Sequence, residues 1–294
     1  MTLEEIYKEY CIKIAYVELH QRSINNITNE ELKKLKNNKD AFEQIPSLSL
    51  PASVDNFYFR DAENGTSTLL AYAECSAEEM IDITIHHKNR QYQWLLAEAY
   101  EVYEDFLKNI YAYLGFKNNE LWVLSDFGSI TLKDIKTKDF YYFQNQSKNK
   151  KGIPQTILSR LRNILPKYDS IETNNKIDSD IKLGIILIEK LRHVIVHCGG
   201  MVKDKKGFIE LVLKDAGLFN SGKYKQKIVE SISRFFGEGP YSNTILLTEV
   251  KGIPLYGVPP QIMTGEINVL EILINVLLAS AYAIYKEIKD SNLI

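Results

Sequence analysis

The sequence has little with which to build a cross-linked, zinc-stapled or secreted protein. Only three cysteines occur in 294 residues. Cys11, Cys75 and Cys198 are odd in number, widely spaced and without a CxxC pair, so neither a disulfide framework nor a structural zinc site is expected, and a reducing cytoplasm fits. Charge of one sign is also missing. Lys and Arg total 36 against 38 Asp and Glu, a formal charge of -2, which confines any nucleic-acid site to a local patch. No apolar run reaches the ~20 residues a membrane-spanning helix needs; the richest stretch, Val269 to Tyr285, is interrupted by Glu271, Asn275 and Ser280. Glu4 and Glu5 stand where a signal peptide would carry positive charge, so the expectation is a cytoplasmic chain with no membrane partner. Internal repeats, low-complexity tracts and a Pro/Ser-rich linker are absent as well. What is there is 45% hydrophobic, enough for a sizeable core.

Helical periodicity dominates the rest. Leu3, Ile6, Tyr10, Ile14 and Val17 predict an amphipathic helix over about 3–21, followed by a short polar helix near 29–37. From Phe57 to Ala73, aromatic and β-branched residues surround Asn64-Gly65, which predicts a β-hairpin. Ser76 and Glu79 form a capping box that opens a long helix to about Leu114, stopped by Gly115. A short strand is expected at Leu121 to Leu124. Pro154 suits the first turn of a helix running to Leu165, where Pro166 ends it. Asp178, Ser179 and Asp180 offer caps for a helix over 180–198, closed by Gly199-Gly200. Between 201 and 262, β-branched stretches (Phe208 to Leu213, Thr244 to Val250), a helix near 224–236 and several Gly and Pro predict an α+β insert, and a last helix covers about 264–289. The expected fold is mainly α: an N-terminal helix and β-hairpin region over 1–70, and a helical domain over 71–294 that carries the insert.

The chemistry concentrates at one helix end. Arg192, His193 and His197 follow an apolar run from Ile181 to Ile188, so the helix should be buried and its cation must either pair internally or line a cleft. Arg192 and His197 are five apart, about 140° on a regular helix, and share a site only if the helix unwinds or a second subunit contributes. His193 and His197 share a face with Glu189 one turn earlier, where its carboxylate could orient His193. For RNA this set suits cleavage without metal: a histidine takes the 2'-hydroxyl proton or protonates the leaving oxygen, and the arginine holds phosphorane charge. Competing readings are an internally paired arginine with core histidines, Glu189, His193 and His197 as metal ligands at helical spacing, and a nucleophilic Cys198.

Arg192-His193, then His197 after four intervening positions, near a helix end and followed by glycines, resembles the catalytic signature of the HEPN superfamily. The resemblance implies an antiparallel helical bundle. It implies a metal-independent endoribonuclease in which Arg192 and His197 act directly, with His193 at the variable polar position, and a homodimer whose two motifs form a composite cleft. It also implies no cofactor, an RNA substrate such as tRNA, and a toxin or phage-defence role with an antitoxin or regulatory partner. The alternative within the same scaffold is a non-catalytic interaction or nucleotide-binding module. A lysine-rich stretch over 133–151 surrounds the run from Phe140 to Phe143. Lys148, Lys150 and Lys151 with Tyr141 and Tyr142 are the candidate substrate contacts, lysines tracking phosphates and rings stacking on bases, against a solvated loop with aromatics turned inward. His86, His87 and Arg90 could approach the cleft if their helix start lies beside that helix end.

Overall fold

The structure, a computed structural model, describes residues 1–43, 53–150, 152–177, 179–220, 224–251, 266–291 and 293. Among these the order is α1 (Leu3–Glu43), β1 (Ser53–Arg60), β2 (Ser67–Cys75), α2 (Ala77–Lys117), α3 (Leu132–Ile135), α4 (Phe140–Lys148), α5 (Gln155–Ile164), α6 (Pro166–Thr173), α7 (Ile181–Cys198), α8 (Lys205–Asp215), α9 (Tyr224–Ser233), β3 (Glu249–Lys251), β4 (Glu266–Asn268) and α10 (Val269–Asp290). The chain is mainly helical, with two small two-stranded antiparallel sheets, β1-β2 and β3-β4. It divides into two units, one of Met1–Leu19 with Tyr92–Ile294, the other of His20–Gln91.

In the larger unit the core gathers about α10, which packs on α6 and α7, while α7 also meets α8. Despite its interruptions at Glu271, Asn275 and Ser280, α10 is, contrary to expectation, long and apolar enough to cross a membrane, the one such helix among the described residues, and most of it is buried inside this unit. α7 and α10 approach closely at Gly184, where an added Cβ would lie 2.8 Å from Val276 Cγ1. Tyr7 of α1 stacks on Tyr285 of α10 at 4.3 Å and meets Phe106 of α2 edge-on at 6.4 Å. A buried polar thread crosses this apolar mass. Ser280 Oγ is 2.7 Å from Tyr103 Oη and 3.0 Å from Tyr168 Oη. Tyr168 Oη donates to Glu172 Oε1 at 2.8 Å, and the same carboxylate takes Arg162 at 2.5 and 3.0 Å. Burial would lower the Arg162 pKa, but Glu172 outweighs it and the guanidinium is held above its ordinary value. Glu287 accepts the amides of Lys167 and Tyr168 at 3.0 and 2.5 Å, supplying negative charge to the first turn of α6. Buried polar groups arranged in this way are satisfied rather than orphaned.

Several expected elements take other forms. The helices expected at 3–21 and 29–37 are one continuous α1, since nothing between them breaks a helix. The capping box is present: Glu79 N donates to Ser76 Oγ at 3.2 Å and Ser76 N to Glu79 Oε2 at 2.8 Å. Gly115 does not end α2, which continues to Lys117; its lack of a side chain makes room for Trp122, whose Nε1 would lie 2.3 Å from an added Cβ. The strand expected at Leu121 to Leu124 is instead two 3-10 turns, Asn119–Leu121 and Leu124–Asp126. Between them Trp122 stacks on Tyr111 at 4.7 Å and donates to its carbonyl at 2.7 Å. Pro166 ends α5 as expected but also opens α6, a role in which its missing N–H costs nothing.

The insert is more helical than its β-branched content suggests. Phe208 to Leu213 lies in α8, not in a strand. Asp204 caps it through Gly207 N at 2.9 Å, and Phe208, Ile209, Val212 and Leu213 fall on one buried face with helical spacing. Thr244 and Ile245 form isolated bridges to Met201 and Phe236, and among the described residues of the insert only Glu249–Lys251 forms a strand. Residues 252–262 of the expected insert, and 264–265 of the expected last helix, lie outside the described residues; α10 begins at Val269, capped by Asn268 through Glu271 N at 3.2 Å.

Gly115→Ala is expected to destabilise the protein by about 1–3 kcal/mol, because a buried indole cannot move aside freely. A fall in the urea midpoint at unchanged slope would show it; an unchanged midpoint would mean that Trp122 yields without cost.

Candidate functional site

α7 carries the cluster on a well-anchored rod. Asp180 starts it by accepting Leu183 N at 2.8 Å; Asp178 lies outside the described residues. Ile181, Leu183, Ile185, Ile188, Leu191 and Ile195 are buried. At the far end Gly199 takes φ +64° and Gly200 φ +77°, a left-handed pair that L side chains adopt poorly. Gly200 sits against α2, where an added Cβ would be 2.4 Å from Gln93 Oε1. Gln93 Nε2 donates to Ile245 O at 2.8 Å, and Ile245 N donates to Gly200 O at 2.9 Å. α2 and α7 therefore run antiparallel, with Gln93 beside Gly200 and Glu101 beside Arg192.

The helix is regular through Cys198, so Arg192 and His197 do diverge by about 140°. His193 and His197 are both exposed, their ring centroids 4.7 Å apart at 51°. Arg192 is half-buried. Its terminal nitrogen donates to Glu101 Oε1 at 3.1 Å, the side chains being 28% and 62% exposed, while its Nε is buried without a hydrogen-bond partner among the described residues. Glu189 does not orient His193. Its carboxylate accepts Gln155 Nε2 at 2.7 Å and Lys190 Nζ at 3.2 Å, and Lys190 also pairs with Asp215 at 2.7 Å.

Three α2 residues outside the expected site complete the cluster. Glu101 is the arginine's partner. Glu104 is half-buried; burial pushes its carboxyl above the usual range, and the nearby Lys108 and Arg192 only partly offset this. Tyr100 is buried with an unpartnered hydroxyl among the described residues, and burial with the Glu189 and Glu104 charges pushes its phenol upward. The available signal was the Tyr-Glu-x-x-Glu pattern at 100–104, carboxylates on a helix that otherwise buries aromatics.

The lysine-rich stretch folds as α3 and α4 rather than as a loop. Phe143 turns into the core, 5.2 Å from Trp122. Lys150 is committed internally: it pairs with Asp126 and lies 5.3 Å from the Tyr111 ring centroid. Tyr142 donates its hydroxyl to Phe127 O, with Lys138 Nζ 5.5 Å from its ring. Tyr141 and Lys148 are exposed, and Lys151 lies outside the described residues. Ser147 Oγ donates to Lys108 O at 2.9 Å, so this segment meets α2 about 10 Å along the axis from Glu101, seven residues away on nearly the same face. His86, His87 and Arg90 belong to the other unit. Cys198 is exposed, and among the described residues no three His, Cys, Asp or Glu side chains converge as metal ligands.

Comparison with protein-family models, with curated proteins and with solved structures found no match for this chain.

Because His193 and His197 are exposed, His193→Ala and His197→Ala should each leave the thermal midpoint essentially unchanged, within about 0.5 kcal/mol; unfolding of either variant would make the imidazoles structural. For Asp126, burial pushes the carboxyl up, but hydrogen bonds from Lys150 and Tyr111, with the Lys150 and Arg160 charges, hold it below its ordinary value. The contribution of that lowered carboxyl is present above the unfolded value of about 4 and lost as pH falls through the folded one. Wild type should therefore lose melting temperature more steeply below about pH 4 than Asp126→Asn; parallel acid limbs would count against the pair.

Proposed function

We propose that this chain is a metal-independent endoribonuclease of HEPN type that works as a homodimer. The observation that carries the reading is the exposed His193–His197 pair standing on the same rigid helix end as Arg192. One imidazole takes the 2'-hydroxyl proton as the oxygen attacks phosphorus, and another protonates the departing 5'-oxygen, leaving a 2',3'-cyclic phosphate and a 5'-hydroxyl. Arg192 supplies charge-assisted hydrogen bonds to the phosphorane oxygens. Since Arg192 and His197 point apart on an unbroken helix, each scissile phosphate takes its arginine from one copy and its leading histidine from the other. Tyr141 and Lys148 extend the substrate surface, and Lys150, held by Asp126, does not contribute. A toxin or phage-defence role in the cytoplasm, restrained by an antitoxin or regulatory partner, fits such chemistry.

The Arg192–Glu101 pair favours a second reading, a non-catalytic interaction module in which the guanidinium serves its own neighbour. Cleavage of total tRNA and of a single-stranded RNA in EDTA separates the two. Wild type should cut and leave cyclic phosphate ends, while His197→Ala and Arg192→Ala each lose about 100- to 10,000-fold. Mixing the two inactive variants should restore activity to about a quarter of wild type, since half the dimers would carry one intact cross-subunit site. No restoration would place both groups in one chain's site, and no cleavage by folded wild type would leave the interaction module.

A further inference from the structure

His193 and His197 stand one turn apart at the end of α7. Cβ atoms four residues apart on a helix lie about 5–6 Å from each other, so both side chains reach the same point beyond the helix surface. Both rings are exposed, and among the described residues no hydrogen bond or ion pair engages either one. Their centroids are 4.7 Å apart at 51°, close but not stacked. A shared metal ion imposes this spacing. An ion about 2.1 Å from one nitrogen of each ring lies about 3.2 Å from each ring centre, so the centres are about 4.5 Å apart at a right angle of coordination and about 5.2 Å apart at a tetrahedral one. The observed distance falls between the two.

We propose that His193 and His197 chelate one divalent transition ion of the zinc class, each imidazole giving one nitrogen and water filling the remaining positions. Ligand type sets the class: imidazole suits zinc, copper and nickel, whereas calcium and magnesium take oxygen. Local charge permits a cation. A helix C-terminus carries partial negative charge, and Arg192, the cation next in sequence, is offset by Glu101 at 3.1 Å. Both amides of Gly199-Gly200 return to Val194 O, so the ion meets ligands already in place. Glu189 shares this face but is no third ligand, because Gln155 and Lys190 hold its carboxylate. Cys198 is exposed but lies about 100° round the helix from His197, away from the chelate. Only the consequence for activity rests on the ribonuclease reading: the ion occupies the nitrogens that would carry protons, so it inhibits cleavage.

Calorimetric titration of the untagged, metal-stripped full chain with Zn²⁺ alone tests the site. Wild type should take up one ion per chain. His193→Ala and His197→Ala should each weaken uptake about a hundredfold, since the second imidazole binds intramolecularly, while Cys198→Ser should leave it unchanged. Should either alanine variant unfold, His193→Gln or His197→Gln keeps a polar side chain at the exposed position and should show the same loss. Cu²⁺ should bind more tightly than Zn²⁺ through the same residues. In the cleavage reaction, saturating Zn²⁺ should stop wild type and EDTA should restore it. No Zn²⁺ uptake, uptake unchanged in folded histidine variants, or uptake lost in Cys198→Ser would each overturn the proposal. Uptake by a folded wild type that never cuts RNA would keep the metal site and sink the ribonuclease; cleavage by a chain that takes up no Zn²⁺ would do the reverse.

Discussion

Gly200 and Gln93 touch where α7 ends, and the placement of the side chains on that helix end depends on the contact. A side chain at 200 would meet the Gln93 amide, and the amide would lose Ile245. With both in place the last turn of α7 is tied to α2 and to the chain after α9, so the final residues cannot fray. Helix ends ordinarily leave carbonyls unsatisfied and mobile. Here the left-handed pair Gly199-Gly200 returns two amides to Val194 O, and His197, two residues earlier, stands within the turn so held. Fixed placement matters because an angstrom of slack at a reacting centre can cost about a hundredfold in rate.

Magnitudes separate the two cations that looked alike. Arg192 is half-buried but its partner Glu101 is 62% exposed, and a pair open to water on one side is a contact worth about 0–1 kcal/mol. A phosphate could replace the carboxylate at little expense, so the pair does not disqualify the arginine. Lys150 differs. Its ammonium and Asp126 are both deeply enclosed, and removing one partner of such a pair leaves a desolvated charge at a cost of several kcal/mol, roughly. One cation is held by a partner that is itself mostly in water and the other holds two turns of chain together. The buried Tyr103–Ser280–Tyr168–Glu172–Arg162 thread belongs with Lys150, as polar matter fully occupied with architecture.

The hairpin and the helical core solve opposite problems. In the core, apolar residues at helical spacing find partners within the chain, as Gly184 does with Val276. In the hairpin the alternation needed for one dry face and one wet face is missing: Phe57, Tyr58 and Phe59 are adjacent, so no single sheet face could hide them.

Periodicity and capping made much of this legible from residues alone. The Ser76–Glu79 box, the Asp180 cap, the Gly199-Gly200 stop and the apolar face of α7 are local, each set by groups a few positions apart, and each appears where chain chemistry places it. The same is true of the exposed hairpin about Asn64-Gly65. Nonlocal partners were out of reach. That α8 is a helix depended on its buried face outweighing β-branched propensity; that Gly115 is a packing site depended on Trp122 returning over α2. Glu101 lies 91 positions from Arg192 and Asp126 lies 24 from Lys150, so which lysine was spent on structure and which arginine stayed near water was decided by how helices pack. The sequence by itself determined where helices start, stop and turn an apolar side inward, because those forces act within a few residues. Only the tertiary structure decided which charges meet and which histidines face solvent, because desolvation and pairing depend on neighbours brought from elsewhere in the chain.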